Sequence, residues 1–94
     1  LLQSTAVAQQ KIINEPSASN RAGAIIILKE ILSIPNDAQY PADIDKNIDL
    51  LKQAFEKRNF SVTLLPSPAR PFLFAERIID QSKPTVLFYM HFDG

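Results

Sequence analysis

The stretch Lys83-Pro84-Thr85-Val86-Leu87-Phe88-Tyr89-Met90-His91-Phe92-Asp93-Gly94 decides how this chain is read. Thr85 to Met90 is a continuous apolar run of strand length, without the alternation of a half-exposed strand. Such runs belong to strands covered on both faces, so a buried strand is expected here. The only histidine, His91, stands at the carboxyl end of the run, and Asp93 follows two residues later. In open α/β sheets, ligand sites lie outside the carboxyl ends of strands. Side chains at i and i+2 of an extended segment point to one side, so the imidazole and the carboxylate are expected to converge. A metal-binding histidine gives its second ring N–H to a carboxylate or carbonyl, which fixes its tautomer. The pair therefore reads as a metal ligand with its supporting carboxylate. It also reads as a strand-end histidine capped by a neighbouring acid.

Upstream, Asp80-Gln81-Ser82-Lys83-Pro84 is a turn, and Phe72 to Ile79 is a strand candidate. Pro66-Ser67-Pro68 separates it from an earlier strand in which Phe60, Val62 and Leu64 alternate with Ser61 and Thr63. The short link predicts an antiparallel hairpin. Before it, Ile44, Ile48, Leu51 and Phe55 recur at the helical period and predict a helix. Asp43 is its N-cap candidate, Lys57 and Arg58 suit a last turn, and Asn59 can take the left-handed conformation that closes it. Asp45, Lys46, Asp49, Lys52, Gln53 and Glu56 form the solvated face. Pro35 to Pro41 is a loop. A first helix is expected from Ser19 to Ser33, although Ile25-Ile26-Ile27 alone would suit a strand. Its apolar residues cover two faces (Ala22, Ile25, Ile26, Leu32 and Ala24, Ile27, Leu28, Ile31), which predicts burial on more than one side. Helix, helix, then three strands predicts an α/β fold with a mixed sheet flanked by helices.

Composition narrows the chemistry. The chain has 94 residues, with ten basic and ten acidic side chains. That balance gives no electrostatic basis for binding nucleic acid or an anionic membrane. No apolar run approaches the roughly 18 residues of a membrane span. The absence of cysteine removes disulfide scaffolds, thiolate zinc sites and cysteine nucleophiles. Two glycines leave no room for a glycine-rich phosphate loop. Ala6-Val7-Ala8 before Gln9 fits the small-x-small pattern of a signal-peptide cleavage site. Residues 1–8 are accordingly read as a signal remnant, 9–18 as a polar lead-in, and 19–94 as an incomplete catalytic-domain portion. On that reading the parent is periplasmic or secreted; otherwise it is cytoplasmic.

Three segments carry a resemblance. Lys83 to Gly94 resembles the signature strand of the zinc-dependent aminoacylase/carnosinase/glutamate-carboxypeptidase family, whose members read K-P-x-apolar run-G-H-x-D. Leu28-Lys29-Glu30-Ile31-Leu32-Ser33-Ile34-Pro35 is similar to that family's first helix and its "L-x-S-I-P" ending. Asp43 to Phe60, followed by Ser61-Val62-Thr63, is similar to the second helix leading into a "G-F-x-V" strand. The likeness spans about Ser19 to Gly94. Met90 and Asn59 replace common glycines, and Gly94 stands where an apolar residue is frequent. The resemblance implies the N-terminal part of a zinc-peptidase catalytic domain whose intact site holds two zinc ions. His91 would match a zinc ligand and Asp93 the carboxylate that orients it. The remaining ligands and the general base would follow Gly94, so these residues alone are expected to be inactive. Substrates would be small peptides or acyl-amino acids, and a homodimer of the parent is compatible with it.

Two other readings compete. An α/β-hydrolase-type serine esterase would use Lys83 to His91 as its oxyanion-hole strand, but Phe92-Asp93 lacks the small residues such a strand needs. A non-catalytic α/β module is the other. Asp43, Asp45, Asp49 and Glu76, and Ser4, Ser17, Ser61 and Ser67, read as structural or solvated groups.

Overall fold

A computed structural model describes residues 18–93. The expected signal remnant, most of the polar lead-in, Ser4, Ser17 and Gly94 lie outside the described residues. The chain divides into two compact units, Leu1–Ser33 and Ile34–Gly94. Among the described residues the architecture is mixed α/β: two helices and one two-stranded antiparallel sheet.

In the first unit, residues 18–32 form helix α1. The helix closes on Ser33, whose N–H donates to the carbonyls of Lys29 and Glu30 while its hydroxyl donates to Glu30 O at 2.6 Å. The expected helix is thus present, but its expected burial is not. Ile25, Ile26, Leu28 and Leu32 are all exposed, Leu32 at 71%. Only Ile27 and Ile31, on one face, are half-buried, so no apolar side chain of the described helix is fully covered.

The second unit is built on helix α2, Pro41–Glu56. Pro41 occupies the first helical position, where its fixed φ is pre-organised and its missing N–H has no intrahelical role. Tyr40 is therefore the N-cap, with its carbonyl accepting from Asp43 and Ile44 N–H. This corrects the expected cap at Asp43, which lies in the first turn and pairs with Lys46 at 3.0 Å. Lys57 and Arg58 lie just past the helix and not in its last turn, because the chain has already begun to close. Asn59 adopts φ 62° as expected, Asn59 N–H donates to Glu56 O and Phe60 N–H donates to Phe55 O. These are the bonds of a Schellman closure. The apolar contact that accompanies such closures is the edge-on pair Phe55–Phe60, with centroids 5.3 Å apart. Arg58 still serves the helix end, donating to Ala54 O at 2.7 Å.

Strands β1 (Ser61–Leu65) and β2 (Phe72–Glu76) pair antiparallel, as expected, with Val62 opposite Ala75 and Leu64 opposite Leu73. The second strand is shorter than expected and ends at Glu76, so residues 77–79 lie outside the ladder. Ser67 Oγ donates to Arg70 O within the connecting loop, and Arg70 reaches Asp45 on α2 at 3.1 Å. Val62, Leu73 and Ala75 are half-buried, and α2 packs on both strands. The fully buried apolar residues are Ile44 and Ile48, both 4% exposed. Between them on the same face sits Asn47, at 2% the most buried polar residue described.

The expected strand Thr85–Met90 requires correction. Residues 84–93 join no ladder, and Val86 to Met90 are 73–81% exposed. A strand needs a neighbour to satisfy its N–H and C=O groups. Here β1 and β2 pair with each other, so the described sheet has two strands and is not mixed. The Asp80–Pro84 turn forms as expected. Asp80 Oδ1 accepts from Ser82 N–H at 2.9 Å and from Ser82 Oγ at 2.7 Å, and Lys83 N–H donates to Asp80 O.

Candidate functional site

The site is carried by residues 89–93, beyond the exposed apolar run. His91 and Asp93 converge as their i, i+2 spacing requires, with Nδ1 of His91 3.7 Å from Oδ1 of Asp93. That is ion-pair range, somewhat longer than a hydrogen bond. Both side chains are accessible, His91 at 71% and Asp93 at 45%. The other ring nitrogen is engaged as well: Tyr89 Oη lies 2.9 Å from Nε2, with the two rings edge-on at 5.2 Å. A carboxylate only accepts hydrogen bonds. With the proton on the ring nitrogen facing Asp93, Nε2 accepts from the tyrosine hydroxyl; with it on Nε2, the ring donates to the Tyr89 oxygen.

Tyr89 was hidden in the sequence because it counts as one more apolar residue of the run. The signal for it was the same parity that pairs His91 with Asp93: positions 89, 91 and 93 share a side of an extended segment. A second missed group is Asn36, whose Nδ2 donates to the Phe92 carbonyl at 2.8 Å. Nothing in local spacing could reveal it, because 56 residues separate the partners.

Of the other acidic and hydroxyl residues, Ser4 and Ser17 lie outside the described residues, and several of the rest have defined partners. Asp43 and Asp45 form surface ion pairs with Lys46 and Arg70. Pairs of this kind contribute about 0–1 kcal/mol. Glu76 lies opposite Ser61 in the hairpin register, beside an open depression also lined by Asn59, Arg77 and Ile78. The Asp80 carboxyl is held below the ordinary aspartate range, first by the Ser82 hydroxyl and then by the Ser82 N–H.

As a metal site the donor set is one imidazole with a supporting carboxylate. Among the described residues, no group of three or more His, Cys, Asp or Glu side chains is arranged to hold a metal ion. Catalytic zinc sites use three protein ligands. His91 and Asp93 thus fit one ligand and its orienting partner, and a complete site needs further donors. No helix among the described residues is long and apolar enough to cross a membrane. No protein-family model, curated protein or solved structure matches the chain.

Proposed function

We propose that the chain is the N-terminal portion of the catalytic domain of a zinc-dependent hydrolase of peptide or amide bonds. The observation that carries this reading is the convergence of His91 and Asp93 at 3.7 Å, immediately after the apolar run. The three-segment resemblance to the aminoacylase/carnosinase/glutamate-carboxypeptidase family supports it, and small peptides or acyl-amino acids are the substrate class it favours.

His91 would serve as a zinc ligand through Nε2, because Nδ1 is the nitrogen turned to Asp93. Asp93 would hold the ring in the Nδ1–H tautomer and raise the basicity of Nε2. In the complete site the zinc pair would supply a nucleophilic water at neutral pH and polarise the scissile carbonyl. Tyr89 has a definite consequence here. Its hydroxyl lies 2.9 Å from Nε2, so it would have to turn away before that nitrogen could act as a ligand. The described residues offer one ligand with its support, so the 94-residue chain alone is expected to be inactive.

The test is activity of the complete protein on a dipeptide and acyl-amino-acid panel, with chelator and with zinc restored. Activity should vanish in chelator, return with zinc, and be nearly abolished by His91→Ala. Asp93→Asn should lower it by about 10–100-fold, as outer-shell changes do. Full activity in chelator, with Asp93→Asn silent, would sink the reading and favour a serine hydrolase.

A further inference from the structure

Two side-chain amides connect the segment carrying His91 to helix α2 through a single loop. The first is Asn47. Its Nδ2 donates to Pro35 O at 2.7 Å and to Asp43 O, one helical turn back, at 2.8 Å. Both N–H groups of this amide are thus used, and no buried side-chain polar atom is left without a partner among the described residues. The second is Asn36, the residue after Pro35, which donates to the Phe92 carbonyl at 2.8 Å. The Pro35 ring fixes its own φ, and Asn47 holds its carbonyl. The peptide plane entering Asn36 is thereby set from both sides. Asn36 in turn holds the carbonyl of the residue between His91 and Asp93.

That position matters because of what the segment lacks. Residues 84–93 belong to no ladder. A backbone outside a ladder can exchange among its sterically allowed conformations, and side chains at i and i+2 share a side only while the residue between them stays extended. Asn36 ties this segment to another part of its unit by a side-chain bond, at the half-buried residue Phe92. Fixing the Phe92 carbonyl fixes the direction in which Asp93 leaves, and with it the carboxylate's position relative to the ring.

We propose that Asn36 is a positioning residue for the His91–Asp93 pair, with Asn47 holding Asn36 in register. Its catalytic meaning rests on the zinc-hydrolase reading, but the orientation it enforces exists without metal. The chemistry is specific to an amide. A carbonyl requires a donor, and the isosteric Asn36→Asp offers only acceptors to it. Asn36→Gln keeps the donor on a side chain one methylene longer.

The readout is the ring tautomer of His91, followed by ¹⁵N NMR on the metal-free chain at alkaline pH. In the wild type the Nδ1–H form should dominate, with Nε2 as acceptor. In Asn36→Asp both ring-nitrogen resonances should move to those of a free Tyr-Met-His-Phe-Asp peptide, while the far-ultraviolet helix signal stays unchanged. Asn36→Gln should restore part of the wild-type shifts, and Asn47→Ser should show a smaller change of the same sign. A merely structural asparagine would lower the melting midpoint without changing the tautomer. In the wild type, nuclear Overhauser contacts should also link the Asn36 side-chain amide to Phe92 and Asp93; this holds the proposal to account even if a variant unfolds. Wild-type ring shifts in Asn36→Asp, or absence of those contacts, would overturn it. In the complete protein Asn36→Asp should lower zinc affinity about 10–100-fold, as other outer-shell losses do. Chelator-resistant activity alongside the expected ring shifts would remove the zinc reading and leave the positioning role standing.

Discussion

Helix α2 with its hairpin and the segment Thr85–Met90 lie in the same unit and reach opposite outcomes. The helix has a polar face of six residues and a buried asparagine, yet it holds Ile44 and Ile48 at 4% exposure. The segment is apolar from Val86 to Met90, yet Leu87 is 81% exposed. Apolarity does not decide the difference; partners do. The α2 backbone satisfies itself, its end is closed by the Phe55–Phe60 contact, and the hairpin covers its apolar stripe. The segment has neither a ladder nor a covering layer among the described residues. Its polar end, where His91 and Asp93 sit, is held instead by a side-chain bond from a loop, at the half-buried Phe92.

The comparison can be broken most directly at one residue from each region. Ile48→Ala should destabilise the unit by about 2–5 kcal/mol, the usual cost of emptying a packed aliphatic site. Leu87→Ala should change stability by less than about 0.5 kcal/mol, as exposed substitutions do. Urea unfolding of both variants measures this. Equal losses would mean that the segment packs against something in solution and that the contrast is false.

The helix end sharpens the contrast at smaller magnitude. Asn59 sits at φ 62°. Alanine there should cost up to about 1 kcal/mol, because it keeps the Cβ crowding of the left-handed region but loses the short polar side chain that lets asparagine tolerate it. Asn59→Gly should be neutral or stabilising by a few tenths of a kcal/mol, since glycine suits this closing position best. Thermal melts would read both, and a tolerated Asn59→Ala would show that the closure contributes little.

How much of this was legible follows the same division. The stripe Ile44–Ile48–Leu51–Phe55 and the alternation from Phe60 to Leu64 encode local periodicity, so α2 and the hairpin could be read directly. Pro41 carried a stronger start signal than Asp43, because a ring-fixed φ at the first helical position outweighs an aspartate two residues later. Asn47 was invisible as a core residue, since its partner Pro35 O lies across a loop. The apolar run was read as buried because pattern reports what a segment would bury, and burial needs a neighbour that no local pattern specifies. The His91–Asp93 convergence was legible from strand parity alone. Asn36 was not, because its bond spans 56 positions.

The smallest expected effect lies at the turn that begins the exposed segment. Hydrogen bonds from Ser82 lower the Asp80 carboxyl in the folded state. Their stabilisation is therefore present above the unfolded-state value and is lost as pH falls through the lowered folded value. The Ser82 amide resonance should titrate with a midpoint below the ordinary aspartate range, and Asp80→Asn should flatten it. A midpoint at the ordinary value would mean that the turn is not held in solution.

His91 is proposed, and not shown, to be a zinc ligand oriented by Asp93. The most direct test of this proposal is the zinc content of the complete protein, measured after exhaustive dialysis at neutral pH. A two-metal site predicts about two ions per chain, falling by about one in His91→Ala, with Asp93→Asn retaining both at lower affinity. Unchanged stoichiometry in His91→Ala, or no zinc in the wild type, would contradict the account.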